Sequence, residues 1–123
     1  PVPVVHIQSR EDRLGGAANV AKNIRALGAQ VTLLGLIGQD EAGSALTQLL
    51  REMDIQDALI RINQATITKL RVLGRHQQLI RCDFEEPMTD SAQEVLSQAS
   101  ALISQYDVVV LSDYAKGCLT EVQ

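Results

Sequence analysis

Two adjacent glycines followed by a helical pattern form the first stretch of this sequence that suits ligand chemistry. Gly15 and Gly16 precede apolar residues at helical spacing, and Asn19 falls opposite that apolar stripe in the first turn. A small polar side chain beside glycines and free backbone N–H groups suits a hydroxyl-rich or anionic ligand. The alternative is purely structural, because glycines also punctuate the helices and strands of any α/β protein.

A pattern typical of a hairpin carries the second group of polar residues. Residues 66–72 and 77–83 alternate along each arm, and Gly74 is available for a positive φ in the turn at 73–76. The charged side chains on these arms are Lys69, Arg71, Arg81 and Asp83. Arginine and lysine at such a surface can bind a phosphate. They can also be ordinary edge-strand charge that blocks aggregation.

A third group of polar residues follows the stretch at 107–112, a polar entry and then an apolar run that is typical of a central parallel strand. In open α/β sheets, ligands bind outside the carboxyl ends of the strands. Asp113 and Lys116 come just after this end, in reach of a substrate hydroxyl or phosphate. The alternative is that Asp113 caps a turn and Lys116 is solvated.

Other polar residues are interpreted as exposed to solvent. His6 has no carboxylate or nucleophile spaced around it, and we place it on an exposed strand face. Glu85 and Glu86 are adjacent, so on a strand they point to opposite faces and do not form a carboxylate pair.

Hydrophobic periodicity predicts the elements that must position these residues. Helices are predicted after the glycine pair up to Gly28, after Asp40 as N-cap, and after Asp90 or Ser91 as N-cap. Strands are predicted at 4–8, 31–36, 55–62, 66–72, 77–83 and 107–112. This alternation predicts right-handed βαβ crossovers and an α/β fold with a parallel sheet.

Composition limits the classes of partner. The 123 residues carry a formal net charge of −4, which argues against general binding to nucleic acid or to acidic membranes. No apolar run approaches the roughly 18 residues of a membrane span. Cys82 and Cys118 have no partner motif, so we expect two reduced thiols in a cytoplasmic protein rather than a disulfide or a metal site. Apolar and helix-initiating patterns at the two ends suggest that the chain lies within a larger fold.

The sequence resembles the ribokinase-like (PfkB) carbohydrate kinases. The N-terminal signature of that family is similar to the spacing of Gly15, Gly16, Asn19, Ala21, Gly28 and Gly38. The stretches TITKLRVLGRHQQLIRCDFEE (66–86) and LSDYAKG (111–117) resemble one branch, the D-glycero-β-D-manno-heptose-7-phosphate kinases. The resemblance extends along the whole chain and covers the front part of such a kinase domain.

This resemblance implies a partial three-layer α/β/α domain over residues 1–123, the acceptor-sugar half, with lid strands near 1–13 and 55–86. It implies pairing of residues 4–8 with the basic hairpin to complete the lid. It also implies that the substrate is a sugar phosphate, bound by the residues singled out above: Gly15, Gly16, Asn19, Lys69, Arg71, Arg81, Asp83, Asp113 and Lys116. A homodimer through the lid strands is expected.

The family reaction transfers the γ-phosphate of ATP to a sugar hydroxyl with Mg²⁺, here O1 of heptose 7-phosphate, on the route to ADP-heptose for lipopolysaccharide. The family's catalytic Asp lies in a Gly-Ala-Gly-Asp motif that this sequence lacks. We therefore expect no catalytic residue, metal ligand or bound ATP in this chain, and no activity from it alone. The rival interpretation is a non-catalytic sugar- or nucleotide-binding module that oligomerises through its exposed strands. A Rossmann dehydrogenase half is disfavoured because the glycines lack G-x-G-x-x-G spacing.

Overall fold

The computed structural model describes residues 1–88 and 91–119. Within these ranges the chain alternates helices and short strands, as predicted for an α/β protein. The elements are α1 (Gly16–Ala26), β1 (Thr32–Leu33), β2 (Leu36–Gly38), α2 (Glu41–Glu52), β3 (Gln56–Asp57), β4 (Ile60–Ile62), β5 (Thr68–Gly74), β6 (Gln77–Phe84) and α3 (Ala92–Leu102), followed by a 3₁₀ turn (Ile103–Gln105).

The first two helices begin where the sequence indicates, and the first ends just before the predicted stop at Gly28. α1 begins at Gly16, the second glycine of the pair, and Gly28 adopts a φ of +97° just after the helix, the conformation that terminates helices. α2 follows Asp40, whose carboxylate accepts a hydrogen bond from the Gly43 N–H over 2.8 Å. This confirms Asp40 as the N-cap. Leu27 is the last of the apolar residues at helical spacing after the glycine pair, and it is 88% exposed rather than buried.

The predicted strands at 31–36 and 55–62 form a parallel ribbon, each interrupted once. β1 pairs with β3 and β2 pairs with β4, both parallel. Hydrogen bonds from Ala58 N–H to Leu33 O (3.0 Å) and from Ile60 N–H to Gly35 O (2.8 Å) continue the ladder across the interruption. The Asp57 side chain accepts the Leu59 N–H over 2.8 Å, and this local bond competes with regular strand geometry.

The apolar core lies between this ribbon and the first two helices. Leu50 of α2 is fully buried at its centre. The other buried members are Leu14, Ala18, Ala21, Leu33, Ile37, Ile55 and Leu59, with Ala17, Val31, Leu46, Leu49 and Met53 packed against them. These residues come from segments that the predicted helices and strands bring together, so the region from 14 to 62 forms a compact body.

The predicted hairpin is present. β5 and β6 pair antiparallel, with Lys69 opposite Asp83 and Arg71 opposite Arg81. The register shifts between Val72 and Leu73, so the second arm carries one extra residue. The turn differs from the prediction, because Arg75 and not Gly74 adopts the positive φ, at +52°.

Two predicted strands are wrong. The structure assigns no strand to 4–8 or to 107–112, so β5 and β6 form a two-stranded hairpin without the expected third strand. Apolar residues of both segments are exposed, including Val4 at 72% and Val108 at 76%. A strand exists only where a neighbour satisfies its N–H and C=O groups, and the described residues offer neither segment such a neighbour.

The third predicted helix forms as α3, with Ala92 and Val95 buried. Ser91 occupies its N-cap position without a side-chain hydrogen bond, and the alternative cap, Asp90, lies outside the described residues. Leu96 and Ile103 also lie at the helical spacing of this segment, yet they are about half exposed. Among the described residues, no helix has the length and apolar character needed to cross a membrane.

Candidate functional site

The three polar stretches predicted from the sequence lie next to one another. Gly16, at the start of α1, lies beside the loop that holds Tyr114, since a Cβ built on this glycine would be 3.9 Å from the Tyr114 ring. The same loop contacts the hairpin exit through Lys116, whose Nζ lies 2.7 Å from Glu85 Oε2. The glycine pair, the loop and the hairpin therefore form one continuous surface.

The first turn of α1 has free backbone N–H groups, because no side chain caps this end of the helix. Gly15 is the N-cap, and no side-chain bond or first-turn carboxylate occupies this end. Gly16 has a φ of +50°, a conformation that favours glycine. Asn19 is exposed on the same first turn. Such a helix end favours an anionic or hydroxyl-bearing group.

Charged side chains on the hairpin form a network with alternating signs. Arg81 Nε lies 2.9 Å from Asp83 Oδ1, and Lys69 Nζ lies 3.0 Å from Asp83 Oδ2. Lys69 also lies 3.5 Å from Glu85, which in turn pairs with Lys116. The network thus connects the two hairpin arms to the loop that holds Lys116.

Both carboxylates in this network are held in the ionised form. Hydrogen bonding from Lys69 lowers the pKa of Asp83 and outweighs the opposing effect of desolvation, with further help from Arg81. A hydrogen bond from Lys116 lowers the pKa of Glu85 in the same way, with a smaller contribution from Lys69. These carboxylates are counter-ions for the cations that surround them.

Arg71 extends the basic surface beyond this network. It lies directly opposite Arg81 on the partner strand, and like charges opposite each other repel unless an anion lies between them. Within residues 1–88 and 91–119, no carboxylate forms an ion pair with Arg71. With Lys69, Arg81 and Lys116, the surface has four cations against the three carboxylates of Asp83, Glu85 and Asp113, so it keeps a net positive charge that an added anion can balance.

The loop after residue 111 is held by local bonds. Asp113 Oδ1 accepts the Ala115 N–H over 2.8 Å, and Ala115 has a φ of +55°. One Asp113 oxygen therefore stabilises a turn, which was the structural alternative for this residue. The Lys116 carbonyl accepts the Met88 N–H over 3.2 Å, which fixes the loop against the end of the hairpin.

The described residues offer no ligand set for a metal ion. No group of three or more His, Cys, Asp or Glu side chains in that part of the chain is arranged to hold one. Cys82 and Cys118 are free thiols, and burial raises the pKa of Cys118.

Two residues of this surface were missed by the sequence analysis. Glu85 was interpreted as solvated charge, yet it is the carboxylate that joins Lys69 to Lys116. Tyr114 was not singled out, although its ring lies beside Gly16. A glutamate at a strand end and an exposed tyrosine are common in any sequence, so neither carried a signal without the fold.

Comparisons with known proteins identify the family of the chain. Residues 1–122 match the family described as pfkB family carbohydrate kinase. The chain is 51% identical, over its whole length, to D-beta-D-heptose 7-phosphate kinase of Bordetella bronchiseptica. It is 55% identical to Bifunctional protein HldE of Nitrosococcus oceani and 50% identical to the protein of that name from Haemophilus influenzae strain PittEE, again over its whole length.

The chain spans 40% of the length of the Bordetella protein and 26% of the length of the two bifunctional proteins. The family match, in contrast, covers nearly all of this chain. The chain belongs to the pfkB family of carbohydrate kinases.

Proposed function

We propose that this chain is the acceptor-binding and lid portion of an ATP-dependent kinase that phosphorylates D-glycero-β-D-manno-heptose 7-phosphate at O1. Its product is an intermediate for ADP-heptose and the lipopolysaccharide core. The observation that carries the proposal is the 51% identity to a protein named as a heptose 7-phosphate kinase. The cation-rich surface beside the glycine pair supports it, because the substrate joins a phosphate to a polyhydroxylated sugar.

In this proposal the two ends of the substrate bind to different parts of the surface. Gly15, Gly16 and Asn19 hold sugar hydroxyls, since the glycines allow close backbone approach and α1 points N–H groups outward. The 7-phosphate binds the hairpin cations Lys69, Arg71 and Arg81. Arginine suits this role because its planar guanidinium forms two parallel hydrogen bonds with phosphate.

The carboxylates of the surface position these cations. Asp83 contacts both Lys69 and Arg81, so it fixes their side chains before the substrate binds. Lys116 and Asp113 lie on the loop that borders the glycine pair, and we assign them to the sugar end of the substrate. Because the pKa of Asp83 is lowered, this counter-ion stays charged across the physiological pH range.

The complete enzyme requires ATP and Mg²⁺, which supply the phosphoryl group and neutralise its charge during transfer. This chain contributes binding and orientation of the acceptor, and its lid excludes water from the sugar. The sequence has no Gly-Ala-Gly-Asp motif to supply the general base. The isolated chain is therefore inert and binds no ATP in this proposal.

We also propose the architecture and assembly of the intact enzyme. It is a three-layer α/β/α domain in the cytoplasm, to which this chain contributes the acceptor half. Two copies associate through their lid strands, because the hairpin exposes an apolar face that includes Leu70, Ile80 and Phe84, each about half exposed. A non-catalytic sugar-binding module that oligomerises through the same face is the competing assignment.

An activity assay separates these two assignments. We expect the intact protein, given ATP, Mg²⁺ and heptose 7-phosphate, to release ADP and to phosphorylate the sugar at O1. The chain of 123 residues should yield no ADP above background. An intact protein that binds the sugar phosphate without turnover would support the non-catalytic module. Robust turnover by the chain alone would overturn the proposed division of the domain.

A further inference from the structure

The junction between the compact body and the hairpin is built around Thr66, two residues before β5. Its N–H donates to Asp40 Oδ2 over 2.8 Å, and its hydroxyl donates to Asp40 Oδ1 over 2.6 Å. The same hydroxyl accepts the Gly38 N–H over 2.9 Å. One side chain thereby joins the end of β2 and the start of α2 to the base of the hairpin.

Asp40 has two roles at this junction. It caps α2 through the Gly43 N–H, and it accepts both hydrogen bonds from Thr66. The Thr66 hydroxyl and N–H are the main reasons that the pKa of Asp40 is lowered, with desolvation acting in the opposite direction. An ionised carboxylate that accepts several donors in fixed directions is a strong anchor.

Two glycines show how tightly the three segments are packed here. A Cβ on Gly38 would overlap the Gln64 carbonyl oxygen and lie 2.8 Å from the Thr66 nitrogen. A Cβ on Gly43 would overlap the Gly38 carbonyl oxygen and lie 3.1 Å from Thr66 Oγ1. The junction therefore leaves no space for a side chain at either glycine, whereas most hairpin residues beyond it are exposed.

We propose that Thr66 is a positioning residue for the sugar-phosphate site, because its bonds to Asp40 fix the direction in which the hairpin leaves the body. This inference rests on the proposed function. Arg71 lies five residues further along the strand, about 17 Å at the usual rise. A tilt of only about 10° at Thr66 would displace Arg71 by about 3 Å, which is enough to break its hydrogen bonds to a bound phosphate.

The test uses two variants that loosen the junction in different ways. Thr66→Val keeps the size and branching of the side chain but removes the hydroxyl. It therefore loses both the hydrogen bond that the hydroxyl donates to Asp40 and the one that it accepts from the Gly38 N–H. Asp40→Ser keeps a good helix N-cap but no longer reaches Thr66. The matched control is Thr68→Val, which removes a hydroxyl whose one hydrogen bond within residues 1–88 and 91–119 goes to the Thr66 carbonyl, over 3.1 Å. Thr66→Ser retains a hydroxyl at this position, so it should keep the normal KM for the sugar phosphate.

In the intact protein, we expect Thr66→Val and Asp40→Ser to raise KM for heptose 7-phosphate about tenfold and to change KM for ATP less than twofold. Thr68→Val and Thr66→Ser should each stay within twofold of the unmodified protein. A lowered melting temperature with an unchanged KM for the sugar phosphate would show a structural role only and would overturn the inference. If Thr66→Val does not fold, Asp40→Ser decides by the same criterion.

Amide hydrogen exchange on the intact protein without substrate gives a readout that does not depend on the reaction. Amides of 68–84 should exchange at least fivefold faster in Thr66→Val than in Thr68→Val, with the core amides of α2 unchanged. Equal protection in the two variants would contradict the inference. Absence of turnover by the unmodified intact protein would instead reject the proposed function, and the exchange experiment would still test the junction.

Discussion

The compact body and the hairpin are held together by different physics. The body buries a contiguous apolar cluster around Leu50, which is fully enclosed. The hairpin buries none of its side chains completely and is stabilised by its strand ladder and by ion pairs such as Lys69–Asp83. Apolar burial provides most of the folding free energy, whereas exposed ion pairs provide little. Substitutions in the body should therefore affect stability, and substitutions on the hairpin should affect binding.

The largest stability effect is expected at the centre of the body. Leu50→Ala removes a fully buried side chain from between α2 and the ribbon, and it should lower the free energy of unfolding by about 2–5 kcal/mol. Urea denaturation followed by circular dichroism measures this change. Leu27→Ala on the exposed end of α1 is the matched control and should cost less than about 0.5 kcal/mol. Similar losses for both leucines would refute the core that we describe.

A smaller loss of stability is expected at Gly43, where the junction between the body and the hairpin is tightly packed. Gly43→Ala would push a Cβ against the Gly38 carbonyl, so we expect about 1–3 kcal/mol of destabilisation. Gly35→Ala is the control, because its Cβ would meet only Leu59 at 3.6 Å, an ordinary contact. Thermal melts of the two variants compare them directly. A Gly43→Ala variant as stable as Gly35→Ala would show that the backbone there has room to adjust.

The pH-dependent contribution of Asp40 to the free energy of unfolding should be smaller than either of these losses. Hydrogen bonds from Thr66 lower its pKa below the usual 3.8, so the folded state favours the ionised form more than the unfolded state does. This stabilisation is present above pH 3.8 and is lost as the pH falls through the lowered pKa. The difference in unfolding free energy between the unmodified chain and Asp40→Asn should therefore shrink between pH 5 and pH 3, as measured by denaturant titration. A difference that is constant over this range would contradict the assigned hydrogen bonds.

The smallest effect on stability is expected at Glu85. Its contacts with Lys116 and Lys69 are at the surface, where ion pairs contribute little. Glu85→Gln should move the melting temperature by no more than about 2 °C. Differential scanning calorimetry at low and high salt gives this shift. A much larger change would mean that the ion-pair network, and not the strand ladder, holds the hairpin against the loop.

The sequence predicted those elements whose sequence signals and pairing partners lie close together along the chain. The helix after the glycine pair, the cap at Asp40 and the basic hairpin follow from periodicity, capping and turn signals, and all are present. The run at 107–112 has the composition of a buried strand and yet forms none, because a strand depends on a neighbour that its own sequence does not specify.

The candidate site was predictable as a set of residue types and not as an arrangement. Lys69, Arg81 and Asp83 were identified from alternation along the arms, and the structure joins them in one network. The linking role of Glu85 depends on a loop that lies 31 positions away along the chain, which is a tertiary contact without a local signal. The positive φ at Arg75 was missed for a related reason, since strand register, and not glycine content alone, sets the turn.

The central claim is that the hairpin cations recognise the phosphate of the substrate, and Arg71→Ala in the intact protein tests it most directly. Loss of a charge-assisted contact costs about 1.5–3 kcal/mol, so KM for heptose 7-phosphate should rise more than tenfold with KM for ATP unchanged. The ratio of kcat/KM for the phosphorylated sugar to that for its dephospho analogue should fall by the same factor, at an unchanged melting temperature. An equal penalty for both sugars, or none for either, would contradict the claim and leave the hairpin as edge-strand charge.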